Sequence, residues 1–127
     1  MSKRSSKLHF RIPMYKTPPD KWRKRIHASA LEASLRKSIG YRREDQLEIA
    51  VVLYFNKLGL KFHDVDNRAK DVLDALQGRT RGPKSKKRHK PIIPNDSQIF
   101  KLVVAKKFPP KQSHGAGHVT ISKLKKE

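Results

Sequence analysis

The stretch Phe62-His63-Asp64-Val65-Asp66-Asn67-Arg68-Ala69-Lys70-Asp71-Val72-Leu73-Asp74-Ala75-Leu76 changes its period halfway along. Phe62, Asp64 and Asp66 alternate as residues on one face of an extended segment do. Ala69, Val72, Leu73 and Leu76 then recur at i, i+3, i+4 and i+7, the apolar stripe of a helix that Gly78 stops. Asp66 falls where a helix cap belongs, and Lys70 and Asp74 follow it at i+4 and i+8, off the stripe. A strand running straight into an amphipathic helix predicts an α+β unit, with Asp64 and Asp66 pointing the same way at the junction.

Outward from this junction the pattern stays mixed. Leu8, Phe10 and Ile12 alternate with polar neighbours, as a half-buried strand requires. Thr17-Pro18-Pro19-Asp20 offers a cap, a proline for the first turn and an acid near the positive end of a helix dipole. Trp22, Ile26, Ala30 and Ala33 carry the helix core to Ile39, and Gly40 is the stop signal. Leu47 to Phe55 is an almost unbroken apolar run rich in β-branched and aromatic residues, read as a central strand. Ser97 to Lys107 and His118 to Leu124 supply two more strands, with Gly115-Ala116-Gly117 read as a hairpin turn. One domain over 1–127 follows: a mixed sheet of about four or five strands packed with two main helices. A basic loop at about 79–91 and a basic C-terminal tail should be solvated.

Thirty-one Lys and Arg against eleven Asp and Glu leave a formal charge of +20 on 127 residues. That balance is the electrostatic footprint of a nucleic-acid or anionic-surface binder. No run of about 18 apolar residues is long enough to span a bilayer, so a cytoplasmic, nucleoid-associated protein is expected. With no cysteine there is no disulfide or thiolate metal site, which leaves His and carboxylates as metal ligands. His9, His27, His89, His114 and His118 show no ligand spacing, and His63 alternates to the face opposite Asp64.

Against that cationic background, four of the eleven acidic residues fall within Asp64–Asp74. Two carboxylates 4 Å apart repel by about 4 kcal/mol at an effective dielectric near 20, and a divalent cation relieves the repulsion. Asp64 and Asp66, with Asp96 brought by a later strand, would give three hard oxygen donors suited to Mg²⁺ or Mn²⁺ and leave positions open for water and phosphate. Lys70 would add positive charge beside the phosphate. The plainer reading makes Asp66, Lys70 and Asp74 a cap with i,i+4 pairs, Asp71 a surface charge and Phe62 a core aromatic.

At Asp64-Val65-Asp66-Asn67-Arg68-Ala69-Lys70, continuing to Asp74 and Leu76, and again at Asn95-Asp96-Ser97-Gln98-Ile99, the chain resembles the RusA family of Holliday junction resolvases. The resemblance covers about Phe62 to Lys107 and implies a homodimeric Mg²⁺-dependent endonuclease that nicks four-way DNA junctions symmetrically. It implies Asp64, Asp66 and Asp96 as metal ligands, Lys70 as the catalytic lysine, and Phe62 as an aromatic that opens the crossover. Asn95 stands where the family commonly has an aspartate. Arg68, Arg79, Arg81, Lys84, Lys86, Lys87 and Arg88 are the expected DNA contacts, with Asn67, Asp74 and Asn95 supporting the ligands. The alternative class is a non-catalytic basic nucleic-acid-binding protein whose acidic cluster only caps a helix.

Overall fold

The computed structural model describes residues 7–15, 18–54, 65–80, 90–108 and 117–124, the side chains of Val65 and Asp66 excepted. They form an α+β domain: β1 (Leu8–Ile12), α1 (Pro19–Lys37), β2 (Leu47–Tyr54), α2 (Val65–Leu76), a 3₁₀ turn (Asp96–Gln98), β3 (Ile99–Lys107) and β4 (Gly117–Lys123). The sheet runs β1-β4-β2-β3. β4 is antiparallel to both β1 and β2, whereas β3 pairs with β2 in parallel, so the sheet is mixed as expected.

Alternation decides which face is covered. Leu8, Phe10 and Ile12 on β1, Leu47, Ile49, Val51 and Leu53 on β2, and Val119 and Ile121 on β4 are buried in one core with residues of both helices. Each such side chain removed from water contributes about 1.5–3 kcal/mol. The intervening residues of β2 and β4 are half-buried. The apolar run of β2 is therefore an interior strand, yet only one of its faces lies under helices; Phe55 lies outside the described residues.

α1 buries the expected stripe, Trp22, Ile26, Ala30 and Ala33, together with His27. Trp22 Nε1 donates to Pro13 O at 2.8 Å, pinning the helix start to the end of β1. The start departs from expectation. Pro18, extended at φ −77°, is the cap and supplies no side-chain hydrogen bond, and Pro19 opens the helix. Thr17 lies outside the described residues. The stop also differs: Ser38 takes the left-handed conformation at φ 53°, two residues before Gly40, with Ser38 N–H donating to Leu35 O and Ile39 N–H to Ser34 O. α2 ends as predicted. Gly78, at φ 81°, and Arg79 donate to Ala75 O and Asp74 O, a Schellman closure.

The hairpin at Gly115–Gly117 is a correction, because β3 and β4 are not neighbours in the sheet. Gly117 instead serves a close approach: a Cβ there would sit 2.3 Å from Val52 O. No helix among the described residues is long and apolar enough to cross a membrane.

Candidate functional site

α2 sorts the acidic knot by helical geometry. Asp66 lies inside the first turn of α2 rather than at its cap. A carboxylate in a first helical turn faces the positive end of the dipole. Asp71, expected at the surface, is a second correction: it is 6 % exposed and faces α1. Arg23 donates to its Oδ1 from Nη2 at 2.7 Å and from Nε at 3.1 Å. Arg68 comes within 3.4 Å of Asp71 Oδ2 while its guanidinium lies 4.0 Å over the Tyr15 ring. Arg68 is therefore engaged within the fold. Asn67 and Lys70 are exposed.

Asp74 is half-buried. Burial raises its carboxyl above the ordinary carboxylate range and the nearby charge of Asp71 adds to the rise; Arg23, Arg79 and Lys70 oppose it. Arg79 is also half-buried.

The second motif divides in the same manner. Asn95 Oδ1 accepts from Ser97 N–H at 3.0 Å and Gln98 Oε1 accepts from Asn95 N–H at 2.9 Å, a reciprocal capping box. Buried Gln98 then donates from Nε2 to Arg42 O at 2.7 Å and Asp45 O at 3.0 Å, bolting the foot of β3 to the loop before β2. Asn95 is thus a cap. Asn95, Asp96 and Ser97 are all exposed, and Asp96, the one charged residue of the four, has no ion pair among the described residues.

The two motifs start far apart within one chain. Arg68 stacks on Tyr15, just beyond Ile12, and Ile12 pairs with Gly117 near the Leu53 end of β2. Asp96 precedes Ile99, which pairs with Leu47 at the other end. Six residues of strand separate those levels, about 20 Å at the rise of a β-strand. Ile92 and Ile93, whose N–H groups both donate to Leu76 O, carry the chain across from the end of α2.

Asp64, Phe62, His63, Arg81, Lys84, Lys86, Lys87 and Arg88 lie outside the described residues, as does the Asp66 side chain. Among the described residues no three His, Cys, Asp or Glu gather as a metal-binding group. No protein-family model matches the chain, and no curated protein matches it.

Sequence reading missed Arg23 as the partner of Asp71, since the two lie 48 positions apart with no local signal between them. It also missed the Asn95-x-x-Gln98 box, which a capping pattern would have revealed.

Proposed function

We propose that the chain is a Mg²⁺-dependent, structure-selective endonuclease that resolves four-way DNA junctions as a homodimer. Asp64, Asp66 and Asp96 would hold the cation, with Mn²⁺ as a substitute, and Lys70 would face the phosphate. The supporting observation is the division within each motif. Asp71, Arg68 and Gln98 are bound inside the fold and the exposed Asn95 is used as a cap, whereas Lys70 and Asp96 are exposed and have no ion pair among the described residues.

Bound Mg²⁺ would polarise the phosphate and lower the pKa of an attacking water. Lys70 would place positive charge where the transition state gathers negative charge. The Arg68 end of α2 and the foot of β3 that carries Asp96 lie at different levels of the sheet in one chain, so a shared cation would draw Asp64 and Asp66 from one protomer and Asp96 from its partner. Twofold symmetry would then give two such sites for a twofold junction. A cytoplasmic, nucleoid-associated location belongs to the same proposal.

The separation of Asp66 from Asp96 favours a second reading, a non-catalytic basic nucleic-acid-binding protein. The two part when labelled four-way junction, duplex and flap DNA are each incubated with the protein, with and without Mg²⁺, and the products mapped. Paired nicks in the junction alone, only with the metal, support the nuclease. Tight binding to all three with no cut strand supports the second reading.

A further inference from the structure

Both helices cover one face of the sheet, and no described helix covers the other. On that open face, His9 and Arg11 of β1, His118 and Thr120 of β4, Tyr54 of β2 and Lys107 of β3 come together through the strand register, with Arg11 opposite His118 and Tyr54 opposite Lys107. His118 is the hub. Its ring centroid is 5.2 Å from that of His9 and 5.7 Å from that of Tyr54. The His9 ring is held by Thr120, Nδ1 to Oγ1 at 2.8 Å. His9, Arg11 and Lys107 are exposed, and His118 and Tyr54 are half-buried.

Three rings fixed at the surface are an unusual choice for a chain this polar unless a flat partner covers them. The charges say which partner. Arg11 of β1 and Lys107 of β3 set fixed positive charge on the two sides of His118. A partner combining flat π-faces with regularly spaced negative charge fits both observations. Successive bases stack on surface aromatics while cations follow the backbone of a single strand.

We propose that this open sheet face is a second nucleic-acid surface, on which unstacked bases of a single strand stack against His9, His118 and Tyr54 while Arg11 and Lys107 hold the flanking phosphates. It lies on the side of the sheet away from α2 and goes beyond the nuclease reading. It needs no metal.

The test is fluorescence anisotropy in EDTA with a labelled oligothymidylate and an abasic oligomer of the same length and charge. The wild-type chain should bind the oligothymidylate at least about fivefold more tightly, the lower bound for one stacked base. Tyr54→Ala and, separately, the fully surface-level change His9→Ala should each remove about fivefold or more of that affinity and leave abasic binding unchanged. Lys107→Gln should weaken both oligomers. Equal wild-type affinity for the two would overturn the proposal, as would ring variants that weaken both alike. Self-association abolished by Tyr54→Ala would also overturn it, marking the face as a contact between copies. Failure to cut a junction in Mg²⁺ bears on the nuclease reading and leaves this result untouched.

Discussion

Arg23 of α1 and Asp71 of α2 form an ion pair at 2.7 Å, with both side chains almost withdrawn from solvent. Arg23 Nη1 also donates to Asp20 Oδ1 at 2.9 Å, so one guanidinium ties the first turns of α1 to the middle of α2. This clamp sets the rotation of α2 and thereby turns Lys70 outward. Removing one partner leaves an uncompensated charge in a poorly solvated place, which costs far more than an exposed pair is worth.

Asp71→Ala is expected to destabilise the fold by about 3 kcal/mol, read from the urea midpoint. The double variant Arg23→Met with Asp71→Leu should recover most of that loss, because matched apolar groups of similar bulk replace a buried pair at little cost. A single variant within about 0.5 kcal/mol of the parent, the usual range for surface changes, would show that the clamp carries no weight.

Asp74 gives a pH dependence of defined sign. Its carboxyl is raised, by burial first, so the folded state holds the proton more tightly than the unfolded chain does. The associated stability is present below the unfolded carboxylate pKa and is lost as pH rises through the folded value. Asp74→Asn should therefore gain stability relative to the parent at pH 7 and little at pH 3. Thermal midpoints at the two pH values provide the comparison, and an advantage that grows toward acid would reverse the assigned sign.

Ser38 ends α1 at φ 53°, where a side chain is strained and glycine is not. Ser38→Gly should raise stability by up to about 1 kcal/mol, since a left-handed residue with a Cβ costs about 1–2 kcal/mol and glycine gives part of that back in chain entropy. A loss of stability on calorimetry would mean that the Ser38 side chain contributes more than its conformation costs.

Much of the fold was legible because period and burial coincide. The alternations around Phe10 and Val119 and the stripes at Trp22-Ile26-Ala30 and Ala69-Val72-Leu76 each identify the buried face of their element. Chain order across the sheet was not legible. Nothing local tells β4 to insert between β1 and β2, and the glycine that permits the approach to Val52 looks like an ordinary turn residue. The ends of α1 differ from the sequence expectation for a related reason: Pro18 and Ser38 act through backbone conformation, which side-chain cap patterns and glycine positions do not reveal.

Around the candidate site, sequence spacing does not tell which side chains the fold engages. Spacing alone cannot separate Asp71 from Lys70, one residue apart, yet Asp71 faces Arg23 and Lys70 faces water. The outward/inward split depends on the packing angle of α2 on α1, a long-range fact. The same holds for Asp96, whose distance from α2 follows from sheet register.

That distance yields a prediction about mixed chains. Asp66→Asn and Asp96→Asn should each be inactive alone, whereas co-refolded mixtures should regain single-strand nicking. Under the proposed shared-site dimer, a mixed dimer would pair the intact Asp66 of one chain with the intact Asp96 of the other, leaving one complete site. Sites built within single chains would stay defective in every combination, and the mixture would remain inactive.

The most direct measurement is cleavage of a labelled four-way junction by the wild-type chain and by Asp66→Asn, each with and without Mg²⁺, with junction binding followed in parallel. Metal-dependent paired nicks by the wild type, and none by a variant that binds the junction at least as tightly, are the expected result. An intact junction in the wild-type reaction with Mg²⁺, or the same products from both proteins, would contradict it.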